Sequence, residues 1–149
     1  MQDKLLFTPG PLSTSLTVKQ AMLHDLGSRD EAFIQIVKEI RSSLLKLAGV
    51  SEEKGYECVL MQGSGTFGVE SVISSVVGKN DTLLVLVNGA YGERIVKMAT
   101  IHGINLVVAR VPENEIVTPE LLAAQLDANP AISHVATIHS ETTTGLFNP

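Results

Sequence analysis

A chain of 149 residues in which 44% are hydrophobic is long enough for one domain with a sizeable core. Eleven Lys and Arg against 16 Asp and Glu give a formal charge of −5, and with no basic run in the chain this argues against nucleic acid as a partner. Cys58 is the single cysteine and cannot close an internal disulfide, MQDKLLFTPG is not a charged leader ahead of an apolar stretch, and LLVLV and INLVVA fall far short of the ~20 residues of a membrane span, so a soluble, cytoplasmic protein is expected.

The first 15 residues contain TPGPLSTS, whose prolines, glycine and hydroxyls favour an irregular arm. Ser28-Arg29-Asp30-Glu31 reads as a capping box, and Phe33, Ile36, Val37, Ile40, Leu44 and Leu47 then recur at helical spacing up to Gly49, which predicts a long amphipathic helix. Glu57 to Gln62 (ECVLMQ) reads as a short strand, with Cys58 as core filler. GSGTF follows as a turn, and Val69 to Val77 as a helix of small residues ending at Gly78. The pattern repeats with a buried strand at Thr82 to Val87 and a helix at Tyr91 to Ile101, stopped by Gly103. A third β-branched run, Ile104 to Val111, leads to a helix opened by Thr118-Pro119 and closed by Asn129-Pro130, and Ile132 to Ile138 is a fourth strand. Strands alternating with helices at this spacing predict a three-layer α/β/α fold with a largely parallel sheet. The expected organisation is an arm at 1–15 and one domain from 16 to 149. Stopping at Gly145-Leu146-Phe147-Asn148-Pro149, just after a strand, the chain reads as truncated.

The stretch MQGSGTFGVES, Met61 to Ser71, places glycines 63, 65 and 68 around Ser64 and Thr66. A loop between a parallel strand and a helix offers free backbone N–H groups and the positive end of the helix dipole, so it favours an anion. The two hydroxyls suit a terminal phosphate monoester. The same residues satisfy GxGxxG, but a dinucleotide fold also needs an acidic residue ~20 positions on, at the end of the second strand, to grip a ribose, and Asn88 stands there. A tight turn that merely lets a helix pack closely is a third reading of the glycines.

TPGPL at Thr8 to Leu12, GSGTFGVES at Gly63 to Ser71, NGAYGER at Asn88 to Arg94 and HSETTTG at His139 to Gly145 occur in the order and spacing that resemble class V aminotransferases, enzymes of fold-type I dependent on pyridoxal 5'-phosphate. Within that class the wording is nearest to enzymes that pass the amino group of 2-aminoethylphosphonate to pyruvate. The resemblance implies that Ser64, Gly65 and Thr66 form the cup for the cofactor phosphate, that Tyr91 stacks on its pyridine ring, and that Thr142 lies near its ring oxygen and the substrate. It also implies a homodimer with the arm, including Gly10, reaching towards the site. Arg29 is a candidate for holding a phosphonate or carboxylate, and equally a solvated charge at a helix start. A metal is not expected, because His134 and His139 are five apart on a strand and face opposite ways.

Transamination needs a lysine to form the Schiff base and move the proton, and an acid to keep the pyridinium protonated. The resemblance places both beyond Pro149, so no catalytic residue is expected in these 149 and the chain by itself should be inactive. Three alternatives stand beside this reading: another class V aminotransferase of the alanine or serine:glyoxylate type, a non-catalytic nucleotide-binding module, and an inert subdomain.

Overall fold

The computed structural model describes residues 4–8 and 10–149, so positions 1–3 and 9 of the expected arm lie outside the described residues. The chain forms two compact units, residues 1–62 and 63–149.

In the first unit, serine and threonine close the turns of the arm. The Leu6 N–H donates to Ser13 Oγ (2.9 Å) and Thr8 Oγ1 donates to the Pro11 carbonyl (2.7 Å). A short helix unforeseen from sequence, α1 (Leu16–Ala21), follows, with Ser15 accepting from the Val18 N–H. The amphipathic helix is α2 (Glu31–Leu47), and Leu45 is its buried residue. The capping box at Ser28 does not form: the helix begins two residues later than that box requires, with Asp30 as its N-cap, and the Asp30 carboxylate turns back to accept from the Gly27 N–H (2.7 Å). A tight turn thus takes the side chain that would have capped the helix.

The expected strand at Glu57 to Gln62 is also corrected. Among the described residues it joins no sheet, and Val59, Leu60 and Met61 are 76%, 44% and 50% exposed. A strand is a pairing relation, and apolar texture cannot supply the partner. Cys58 is accordingly half-buried and lies outside any strand.

The second unit is the α/β layer structure. Its elements are α3 (Gly65–Val76), β1 (Thr82–Val87), α4 (Ala90–Ile101), β2 (Asn105–Arg110), α5 (Pro119–Ala128) and β3 (Ile132–Thr137). The three strands are parallel in the order β2-β1-β3, with Leu84 opposite Val107 on one side and Val135 on the other. One irregularity falls between Thr82 and Leu83, where β3 skips Ser133. The Ser133 hydroxyl accepts from the Thr82 N–H (3.2 Å) and donates to the Thr82 carbonyl (3.3 Å), standing in for the ladder there.

Central β1 is buried on both faces, which is why TLLVLV is a continuous apolar run. Leu83, Val85 and Val87 pack with Ile73 and Val77 from the α3 side and with Ile95 and Ala99 of α4. Leu84 and Leu86 pack on the other face with Ala109, Val117 and, from α5, Leu121 and Leu122. The chain steps outward from β1 to β2, then reverses across β1 to β3. Since parallel crossovers are right-handed, reversing direction puts α4 and α5 on opposite faces. The strand order therefore reverses at β1, and in open α/β sheets the crevice at such a point, beyond the carboxyl ends of the strands, is where ligands bind.

Candidate functional site

The glycine loop folds further into helix than its sequence suggests. GSGTF is not a free turn: α3 starts at Gly65, four residues before the predicted start, and Ser64 is its N-cap, with Oγ accepting from the Phe67 N–H (3.2 Å). Ser64 satisfies the amide two positions beyond Gly65, leaving the Gly65 and Thr66 N–H groups, at the first two helical positions, without an intrahelical acceptor. As an acceptor in that bond, the Ser64 hydroxyl keeps its own proton to donate.

The three glycines differ in what they are for. Gly63 has φ +158°, and a Cβ there would sit 2.5 Å from Phe67 Cδ1, so the fold itself demands glycine. A Cβ on Gly65 or Gly68 would meet nothing within 4 Å. Close helix packing therefore does not account for those two, and the space above the first turn of α3 is open.

Charge points the same way. The first turns of α2, α4 and α5 carry Glu31, Glu93 and Glu120, whereas that of α3 carries no acidic residue. The carboxyl of Glu120 lies below its ordinary range because its own backbone N–H and the Thr118 hydroxyl donate to it, the response a helix start induces in an anion. Only the start of α3 is left uncompensated among these four.

The start of α4 is already occupied. Gly89, its N-cap, has no side chain to offer, and Glu141, fully buried, reaches in from the loop after β3. Glu141 accepts from the N–H groups of Tyr91 and Gly92 (both 3.3 Å) and from the Thr143 hydroxyl (3.0 Å). An internal carboxylate thus takes the anion site of α4 and fixes the backbone that presents Tyr91. Gly89 is extended (φ 174°), so it is required for space: a Cβ would lie 2.4 Å from Glu141 Cγ.

Asn88, at the position where a dinucleotide fold would need an acid, is buried and fully engaged. It exchanges amide hydrogen bonds with Asn148 (2.9 and 3.0 Å) and donates to the Glu115 carbonyl (2.9 Å). Asn148 also accepts from the Val117 N–H (2.9 Å) and donates to the Ile138 carbonyl (2.6 Å). With every donor of both amides used, this pair ties the loops after the three strands together and has nothing left for a ribose.

The expected residues of the second unit collect at this edge. Thr66 and Tyr91 are joined by Arg94, whose Nη1 donates to Thr66 Oγ1 (3.1 Å) while its guanidinium lies 4.5 Å from the centroid of the Tyr91 ring. Of the three successive threonines, Thr143 is bound to Glu141 and Thr144 accepts weakly from the Leu146 N–H (3.4 Å). Exposed Thr142 is the one whose hydroxyl makes no hydrogen bond to the described residues. Gly10 and Arg29 lie in the first unit, both exposed. Among the described residues no group of three His, Cys, Asp or Glu gathers as metal ligands.

Sequence reasoning did not single out Arg94 or the capping role of Glu141. Both left a trace. Arg94 is three residues after Tyr91, the spacing that stacks side chains on one helix face, and a helix opening on Asn88-Gly89-Ala90 has no side chain able to cap it at Gly89.

Over its whole length the chain is 48% identical to a protein of Lysinibacillus sphaericus (strain C3-41) named 2-aminoethylphosphonate–pyruvate transaminase, covering 40% of that relative. A protein of the same name from Bacillus thuringiensis (strain Al Hakam) is 49% identical over 97% of the chain and 40% of its own length. Among solved structures, alanine–glyoxylate aminotransferase from Nostoc sp. matches with a TM-score of 0.85 at 30% identity, over 100% of this chain and 39% of that one. The chain is a relative of the class V aminotransferases. A further class member, pyridoxamine-pyruvate aminotransferase from Mesorhizobium loti, matches with a TM-score of 0.83 at 27% identity, over 95% of this chain and 36% of its own. No protein-family model matches the sequence. The chain spans about 40% of the length of the curated class V relatives it matches, and its parallel sheet covered on both faces is part of the fold-type I α/β domain expected from sequence.

Proposed function

We propose that the protein transfers the amino group of 2-aminoethylphosphonate to pyruvate, giving phosphonoacetaldehyde and alanine, with pyridoxal 5'-phosphate as cofactor. The observation that carries this reading is the start of α3, where an open first turn, two hydroxyls and an uncompensated helix dipole meet at the strand-reversal edge while the neighbouring helix start is filled by Glu141. These residues fit a phosphate ester joined to a flat ring. When bound, the cofactor supplies a carbonyl that receives the amino group and a conjugated ring that accepts electron density.

This chain's own residues hold and orient. The Gly65 and Thr66 amides and the Ser64 and Thr66 hydroxyls receive the phosphate oxygens, fixing one end of the cofactor. Tyr91, held by Glu141 through its backbone N–H, offers a rigid ring against which the pyridine lies flat. The Thr142 hydroxyl, not engaged by the described residues, donates towards the ring oxygen. Residues 16–149 belong to the large domain with 1–15 as an arm, Gly10 and Arg29 contribute to the substrate side, and the lysine and aspartate that act on the cofactor lie in the rest of the protein. Cytoplasmic location and a homodimer complete the proposal, with small molecules rather than nucleic acid or membrane as partners.

In the full reading frame, Ser64→Ala/Thr66→Ala should weaken binding of pyridoxal 5'-phosphate, since each hydrogen bond to a charged group is worth about 1.5 to 3 kcal/mol. Equal cofactor affinity in variant and parent, measured by absorbance titration of the apoenzyme, overturns the cup assignment.

A further inference from the structure

The cup residues are all neutral. A phosphate monoester carries a charge of about −1.5 to −2 at pH 7, and neutral donors with a helix dipole offset only part of it. The cation that touches the cup is Arg94, through its hydrogen bond to Thr66. Two other basic groups of this unit are engaged elsewhere: Arg110 is held by both carboxylate oxygens of Glu93 (2.6 and 3.1 Å), and His102 pairs with Glu70 (2.9 Å).

We propose that Arg94 is the cationic member of the phosphate cup, neutralising the bound phosphate beside Thr66 while its stacking on Tyr91 sets that ring. This deepens the cofactor reading above and rests on it. A guanidinium carries five N–H donors in a plane, and Arg94 gives one to Thr66, so the remainder are available to phosphate oxygens. The exposed side chain would be free to sample many rotamers, but Tyr91, one turn earlier on the same helix, presents a π face 4.5 Å below it. Thr66 and Tyr91 therefore hold the charge at the cup before any ligand arrives. They also couple the two halves of the cofactor site, since one side chain touches both the phosphate-binding and the ring-stacking residue.

The test compares pyridoxal 5'-phosphate with pyridoxal, which lacks the phosphate, on apo forms of the full reading frame. Arg94→Gln should weaken pyridoxal phosphate at least about tenfold, the order expected for one lost charge-assisted hydrogen bond, and leave pyridoxal within about twofold. Arg94→Lys should restore most of the phosphate-dependent affinity by returning the charge. Equal losses for both ligands would overturn the proposal and reduce Arg94 to a support for the Tyr91 ring, as would no loss for either. Should Arg94→Gln fail to fold, the parent still decides. Raising salt should weaken pyridoxal phosphate and spare pyridoxal, and a salt-independent preference for the phosphate form refutes a charged partner. The Ser64→Ala/Thr66→Ala variant separates the two levels: if it weakens pyridoxal phosphate while Arg94→Gln does not, only the Arg94 proposal fails. If neither variant does, the cup itself is wrong.

Discussion

Glu141 offers the most demanding check on how the site is held. Glu141→Ala removes a carboxylate that accepts from Tyr91, Gly92 and Thr143, and strands the Gly92 N–H in a buried position. Unsatisfied buried groups cost about 1 to 3 kcal/mol each, and breaking a buried charged network about 3 to 5 kcal/mol. The N–H bonds here are long at 3.3 Å, so about 3 kcal/mol is the expected loss, a large share of the ~5 to 15 kcal/mol of a typical domain. Gly89→Ala attacks the same contact from the other side. Its Cβ would fall 2.4 Å from Cγ and 2.5 Å from Cδ of Glu141, the body of a fully buried side chain that has nowhere to move. Overpacking of this kind costs about 1 to 3 kcal/mol.

Because the clash exists only while Glu141 is present, the double variant should cost less than the sum of the singles, with a coupling energy of about 1 to 3 kcal/mol. Urea unfolding of the four proteins gives the cycle. Hydrogen exchange localises it, since the Tyr91 and Gly92 amides should lose protection in Glu141→Ala. Additive energies within about 0.5 kcal/mol, or a Glu141→Ala protein whose Tyr91 and Gly92 amides stay protected, would refute the capping role.

Tyr91→Leu should preserve the fold, because an aliphatic side chain fills the half-buried position, yet alter the absorbance of bound cofactor and slow turnover by removing the flat face; unchanged spectra and rates return Tyr91 to packing. The Glu93 carboxyl lies below its ordinary range, chiefly through its hydrogen bonds from Arg110. A depressed folded value means that the pair's stabilisation is present above the ordinary carboxylate range and is lost as pH falls through the lowered folded value, beneath that range. Side chains 54% and 47% exposed keep that stabilisation small. A carboxyl titration followed by NMR should show the Glu93 midpoint rising in Arg110→Gln, and an unmoved midpoint would refute the assignment.

Periodicity alone determined the helices and parallel strands from residue 82 onward, because each buries its own apolar pattern against immediate neighbours in the chain. β1 could be read as a buried strand from the five apolar letters after Thr82, and α5 from Thr118-Pro119 at its start. The order and spacing of four motifs likewise carried the resemblance to class V aminotransferases and made Ser64, Thr66, Tyr91 and Thr142 candidates for a cofactor site. Two local readings failed where a side chain or strand had a partner that sequence could not supply. The Ser28 capping box gave way to an N-cap at Asp30 whose carboxylate is taken by the Gly27 turn, and Glu57 to Gln62 found no ladder among the described residues. What tertiary structure alone decided was who neutralises whom. Glu141 reaches 50 residues back to the Tyr91 N–H, Asn148 locks Asn88 across 60 residues, and Arg94 meets Thr66 across 28. Hydrogen bonds and charge contacts act over about 3 to 4 Å in space whatever the separation in sequence, so which of two adjacent helix starts remains open to a phosphate is settled only when the sheet brings those loops to one edge.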